Sequence, residues 1–185
     1  FNATISACEK GQQWQWALQL LNIARMHRVQ PNTVTYNAAI SACDKRRQWR
    51  HALALLIEMQ EQRVDPDVIT FNAALSACEY LRYWERALAL VCEMEHRQLS
   101  PDVVTCNSLM SAYLQAHRWE ESMLVMAGMH ERRIRAESVS YNVSIAACGM
   151  GRRWEHSLEL LQEMSARHLQ IDVITCAGAV SACEW

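Results

Sequence analysis

No apolar run in this 185-residue sequence approaches the ~18–20 residues a helix needs to cross a bilayer, so no membrane partner is expected. Proline and glycine are scarce, at three and five residues, too few for a collagen-like or a disordered chain. Neither sign of charge dominates: 18 Lys and Arg stand against 20 Asp and Glu, for a net charge of −2. A protein that grips nucleic acid mainly through phosphates needs a basic excess, which is missing; one that reads bases does not. No two of the eight cysteines form a C-x-x-C pair, and the seven histidines keep no H-E-x-x-H or other ligand spacing. No metal is therefore assigned and no cofactor is expected. The sequence opens at Phe1 with neither Met nor a cleavable leader, and is expected to be an excised piece.

What is abundant is repetition, in a chain apolar enough, at 51%, to bury a substantial core. "PDVITFNAALSAC" (66–78) returns as "PNTVTYNAAISAC" (31–43) and "PDVVTCNSLMSAY" (101–113). Trp14, Trp49, Trp84, Trp119 and Trp154 are 35 residues apart, as are Asn2, Asn37, Asn72, Asn107 and Asn142, and Met59, Met94, Met129 and Met164. Such a period marks a solenoid. Taking 33–67 as the reference, full units follow at 68–102, 103–137 and 138–172. A nearly complete unit precedes them at 1–32, and a partial one stands at 173–185.

Each unit reads as two helices. Tyr36, Ala39, Ile40 and Cys43 share one face of the first; Trp49, Ala52, Leu53, Leu56 and Met59 form a stripe on the second. The short polar "DKRRQ" between them suits an antiparallel pair. Pro66 is expected to stop the second helix near Val64, with Asp67, or Asn32 in the preceding unit, as N-cap of the next first helix. One pair cannot bury its stripe alone, so stacking supplies the core. The expected fold is all-α, an α-solenoid of antiparallel helix pairs with about five repeats and a partial one, forming a single domain over 1–185. Cys8, Cys43, Cys78, Cys148 and Cys183 share one slot, which a small apolar core residue explains; the usage suits a reducing compartment. In the unit 103–137 the aromatic becomes Cys106 and the later Cys becomes Tyr113, a large-for-small exchange that keeps volume on the same stripe.

The opposite face of the first helix carries Val34, Asn37, Ser41 and Lys45. The slot of Val34 holds Ile69, Val104, Val139 and Ile174, always β-branched and apolar. Asn lies beside it in every unit but the last, which has Ala177. Val could tuck beneath a neighbouring helix while Asn bonds locally. Yet Asn is a poor residue for a helix interior, and stability alone gives no reason to keep it five times. An apolar side chain packed on a base face, with an amide at the base edge, is how single-stranded RNA is recognised.

The segments "TYNAAISACDKRRQWRHALALLIEMQEQRVDPD" and "TFNAALSACEYLRYWERALALVCEMEHRQLSPD" resemble the pentatricopeptide repeat family. They share its 35-residue length, its early aromatic–Asn pair, its "ALALL"-type second helix with the following Met, and its closing Pro-Asp. The likeness extends over essentially the whole chain. The Trp opening each second helix departs from the smaller aliphatic usual there, which concerns packing more than reading.

The resemblance implies a right-handed solenoid that binds single-stranded RNA one base per repeat, through two or three side chains. Base-reading pairs carried over by position are Asn2 with Asn32, Asn37 with Asp67, Asn72 with Asp102, Asn107 with Glu137, and Asn142 with Asp172. Val34, Ile69, Val104, Val139 and Ile174 would pack on the bases. An Asn amide alone can meet uracil or cytosine by flipping; a carboxylate, which only accepts, would fix the flip in the orientation suited to uracil. Asp-containing units are thus expected to prefer U, and the Asn2 unit to accept C or U. The Asn107 unit is left open by the longer Glu137 and by Ala136 in place of Pro, giving 5′-Y-U-U-N-U-3′. Lys10 and Lys45 share a slot where a phosphate could pass, but Tyr80, Gln115 and Met150 follow there, so no continuous basic track exists. Arg46, Arg47, Arg152 and Arg153 read as solvated inter-helix charges, and His51 and His156 share an outer slot. Organellar RNA processing, in a mitochondrion or plastid and beside other RNA-processing proteins, is implied by the family, with no specific oligomer. A tetratricopeptide-like protein scaffold or a spacer of a longer array is the alternative. No nucleophile–base pair stands outside the repeat, so no enzyme is expected.

Overall fold

The computed structural model describes residues 2–79 and 84–183. Among them are eleven α-helices and no strand: α1 (Asn2–Lys10), α2 (Trp14–Met26), α3 (Thr33–Lys45), α4 (Trp49–Glu61), α5 (Val68–Glu79), α6 (Trp84–His96), α7 (Val103–Gln115), α8 (Trp119–Glu131), α9 (Ser138–Gly151), α10 (Trp154–Ala166) and α11 (Val173–Cys183). Helices joined by a few residues lie against one another as pairs: α1 with α2, α3 with α4, α7 with α8, α9 with α10. The expected all-α architecture of paired helices holds. None of these helices is long and apolar enough to cross a membrane.

The chain forms two compact units, Phe1–Tyr80 with Leu90–Ser100, and Leu81–Ala89 with Pro101–Trp185. In the first unit, first helices stack directly: α1 on α3 and α3 on α5, while α2 touches α3 and α4 touches α5. Its core takes the expected stripes, with Tyr36, Ala39, Ile40, Cys43, Ala52 and Met59 fully buried. In the second unit α7 packs on α9 and α9 on α11. Cys106, Met110, Met126, Met129, Tyr141, Ile145 and Met164 form one cluster there. Cys106 and Tyr113 are both buried, and the Tyr113 ring reaches Trp84 at 5.8 Å.

The ends of the helices differ from expectation in two ways. The second helix of the reference pair stops at Glu61, before Val64. Arg63 turns to a left-handed φ of 56°, and the Val64 N–H bonds back to the Met59 carbonyl at 3.0 Å. That is a Schellman-type stop, so the chain has left the helix before Pro66 can act. The positions 28, 63, 98, 133 and 168, occupied by Arg, Arg, Gln, Arg and His, all have positive φ. So do Gln12, Arg47, His117 and Arg152 at first-helix ends. Secondly, the shared Cys slot is core only in mid-array: Cys43, Cys78 and Cys148 are buried, Cys8 is half-buried and Cys183 exposed, all as free thiols.

Candidate nucleic-acid interface

The first helices α3, α5, α7 and α11 each begin where Asn or Asp accepts the orphan backbone N–H three residues on. Asn32 Oδ1 takes the Thr35 N–H at 3.0 Å, Asp67 the Thr70 N–H at 2.8 Å, Asp102 the Thr105 N–H at 2.9 Å and Asp172 the Thr175 N–H at 2.8 Å. The hydroxyl at the third position answers by accepting the cap residue's own N–H, as Thr70 does from Asp67 at 3.1 Å. This reciprocal cap satisfies two helix-end donors. The residues expected to close each reading pair are therefore the caps of the following helix.

The same caps hold the Asn side chains of the helix before. The Asn37 amide donates to both Asp67 carboxylate oxygens, at 3.0 and 3.2 Å. Asn2 Nδ2 donates to Asn32 Oδ1 at 3.5 Å, a looser contact. The Asp172 carboxyl is held below its ordinary value by the Thr175 backbone N–H and hydroxyl and by the Asn142 amide. Asn107 is the exception: its Oδ1 is buried with no partner, and Glu137, one methylene longer, donates its backbone N–H to the Ser140 hydroxyl at 3.2 Å. Asn72 lies half-buried on α5, and Asp102 caps α7.

The threonine went unread in the sequence argument. Its hydroxyl donates to the Asn carbonyl oxygen one repeat back: Thr35 to Asn2 at 2.7 Å, Thr70 to Asn37 at 2.5 Å and Thr175 to Asn142 at 2.6 Å. The signal was available, since Thr stands at 35, 70, 105 and 175 with Ser at 140. A Thr three residues into a helix is also ordinary helix-start chemistry, and only the stacking of first helices brings residues 33 apart together.

The apolar slot on these helices is exposed in both units. Val34, Ile69, Val104, Val139 and Ile174 are 59%, 65%, 49%, 55% and 70% exposed. None is tucked beneath a neighbouring helix, so that half of the structural alternative fails, while the bonding of Asn2, Asn37 and Asn142 within the protein is observed. Single exposed aliphatics are ordinary; five in one slot of a 35-residue period are not scattered.

The weaker candidates are less free. Lys45 Nζ is bonded to Glu9 at 2.8 Å, and Glu9 also accepts from Ser41 at 2.8 Å. Burial raises the Glu9 carboxyl, but the Lys45 and Ser41 bonds outweigh it and hold the group below its ordinary value. Lys10 is exposed; Tyr80 lies outside the described residues. The inter-helix arginines are not merely solvated. Arg46 donates to the Gln12 carbonyl at 3.2 Å, Arg153 lies over the Trp119 ring at 5.6 Å, and Arg118 covers Trp84 at 3.9 Å. His51 stacks against Trp14 at 4.8 Å. Its counterpart His156 lines a cavity of about 340 Å³ with Trp119, Met123, Cys148 and Arg153. Among the described residues no three His, Cys, Asp or Glu side chains gather as metal ligands.

The sequence matches the family described as a pentatricopeptide repeat domain over residues 1–46 and 89–151, the PPR repeat family over 31–79, and the PPR repeat over 69–99 and 139–169. The fold is similar to the pentatricopeptide repeat protein PPR10 from maize, at 24% identity and a TM-score of 0.69, over 98% of this chain and 26% of that one. PPR10 in complex with an 18-nt psaJ RNA element aligns at 22% identity and a TM-score of 0.81, over 99% of this chain and 27% of that one. The PPR domain of Arabidopsis thaliana protein-only RNase P 1, in complex with tRNA, aligns at 17% identity and a TM-score of 0.84, over 99% and 96%. At such identities the likeness is one of fold. The chain spans about a quarter of the length of the maize protein. No curated protein matches the sequence.

Proposed function

This chain belongs to the pentatricopeptide repeat family, and on that footing we propose that it binds single-stranded RNA sequence-specifically, one nucleotide per repeat, with a preference for U-rich pyrimidine strands. The observation that carries the reading is the exposed β-branched residue that α3, α5, α7 and α9 each carry in the same helix as a repeated Asn, with the Asn37 amide committed at its donor end to Asp67 and at its acceptor end to Thr70. The aliphatic side chains offer each base an apolar wall. The amide offers its edge one remaining N–H and one remaining lone pair in a set order, complementary to the uracil O4 acceptor and N3–H donor. Two similar structures hold RNA, an 18-nt psaJ element and a tRNA, which supports RNA as the ligand class.

The proposed register is 5′-Y-U-U-N-U-3′. Asn2, held by a neutral amide at 3.5 Å, accepts C or U, and Asn107 reads without a carboxylate partner. Recognition proceeds without catalysis, because every segment belongs to the repeat. Family membership supports a place in organellar RNA processing or metabolism, in a mitochondrion or plastid, as part of a longer array.

Fluorescence anisotropy with U-rich and A-rich single strands, on the wild type and on Asn37→Ala/Asn72→Ala, tests the reading. Preference for U-rich RNA that disappears in the double variant is the expected result. Equal binding to both strands, or binding that ignores the substitutions, would return the chain to a protein-binding or spacer solenoid.

A further inference from the structure

We infer that the buried hydroxyls of Thr35, Thr70 and Thr175, at the third position of their first helices, are positioning residues for the base read one repeat earlier, and that they set how sharply those repeats separate uracil from cytosine. The inference rests on the single-stranded RNA reading and deepens it. Thr35, Thr70 and Thr175 are fully or almost fully buried, so these side chains do not themselves touch a ligand. They act through the Asn amide.

The proton count is decisive. The Thr70 oxygen already accepts the Asp67 N–H at 3.1 Å, and it has one proton to give. Two oxygens lie within reach, Asp67 Oδ1 at 2.9 Å and Asn37 Oδ1 at 2.5 Å. Asp67 Oδ1 is supplied by the Thr70 N–H and the Asn37 amide. Without a proton, two oxygens at the Thr70–Asn37 separation would repel, so the hydroxyl proton points to Asn37. The amide is then held at both ends, its N–H on the carboxylate and its carbonyl on the hydroxyl. Flipping it would set its carbonyl against a carboxylate and leave the hydroxyl proton facing an NH₂ group. Thr175 on Asn142 repeats this arrangement. Thr35 likewise holds the Asn2 carbonyl, but the other end of that amide meets only the neutral Asn32 at 3.5 Å. It is firmly held at one end only, and its repeat accepts C or U.

The unit around Asn107 shows what happens without the hydroxyl bond. Ser140 still accepts the Glu137 N–H, so a hydroxyl is present, but Asn107 Oδ1 stays buried and without a partner. An amide free at its carbonyl end can present either order of donor and acceptor. That repeat therefore takes U and C alike, whereas the Asn37 and Asn142 repeats favour U. The base read by one repeat thus depends on the first turn of the next, and a recognition rule drawn from Asn and its cap alone is incomplete.

The test compares oligo(U) with oligo(C), each of about ten nucleotides, by fluorescence anisotropy on the full chain, with Tm measured for every variant. Thr70→Val/Thr175→Val removes both hydroxyls, and the U-over-C affinity ratio is expected to fall by about fivefold or more, the worth of a lost hydrogen bond. Thr70→Ser/Thr175→Ser keeps the hydroxyl and retains at least part of the ratio. Because Val also weakens the helix cap, a gain is tested too: Glu137→Asp with Ser140→Thr should raise the ratio beyond Glu137→Asp alone, by a similar factor. A purely structural hydroxyl would move Tm and leave the ratios unchanged. Unchanged ratios in a wild-type background that still prefers oligo(U) overturn this inference and spare the RNA reading. No preference for oligo(U) over oligo(A) in the wild type overturns both.

Discussion

Ser157 occupies a slot that Ala17, Ala52 and Ala87 fill in earlier repeats; it is completely buried, and its hydroxyl has no partner. An unpaired buried hydroxyl costs free energy that alanine does not incur. Ser157→Ala should stabilise the chain by about 1 kcal/mol, a Tm rise of roughly 2–4 °C by calorimetry. Ser122, in the same slot, bonds the Met110 carbonyl at 3.3 Å, so its alanine variant should gain less. The thiols make a pH prediction. Burial pushes both Cys43 and Cys148 up to about 11 from an ordinary 9.0. Between those values the folded chain keeps protons that the unfolded chain has released. Stability is therefore fully present below about pH 9 and lost as pH rises towards 11. A Tm series across that range should fall less steeply in Cys43→Ala/Cys148→Ala than in the wild type.

At the scale of a helix, starts and stops follow different rules. The first helices α3, α5, α7 and α11 are capped by Asn or Asp side chains, while α2, α4, α8 and α10 begin without a side-chain cap bond. Asp67 both caps α5 and holds Asn37. Asp67→Ala should cost about 1 kcal/mol of stability, typical of a lost cap, together with U preference. Asp67→Asn keeps the cap acceptor, so its Tm should stay close to wild type while the base preference relaxes. If the two losses cannot be separated in this way, capping and reading are one function. Helix stops use left-handed Arg, Gln and His where glycine is the unstrained choice. Exposed Arg63, at φ 56°, should gain about 0.5–1 kcal/mol on replacement by Gly and lose stability on replacement by Val, read as urea midpoints.

For the whole molecule the balance of 18 basic and 20 acidic residues limits what phosphates can contribute. Affinity for single strands falls with salt at a slope of about −0.7 per phosphate neutralised. Lys45 is committed to Glu9, so a shallow slope, no steeper than about −2, is expected for oligo(U). A slope beyond about −4 would shift the grip from bases to backbone.

The period, the helix pairs, the buried stripes and the Asp and Asn caps could all be read in the chain, because each recurs at a 35-residue step and obeys local rules of periodicity and capping; the pairing of Asn with those caps came only from the family resemblance. Whether Val34 and its equivalents were core or surface could not, since a β-branched residue at a helix start suits either, and only the stacked helices show it left uncovered. Helix ends were misjudged at Val64 because a left-handed arginine carries no mark in the sequence comparable to glycine. The hydroxyls that hold the Asn2, Asn37 and Asn142 amides, and the failure at Asn107, belong to tertiary structure alone. A hydrogen bond between residues 33 apart exists only when one helix pair is laid against the next.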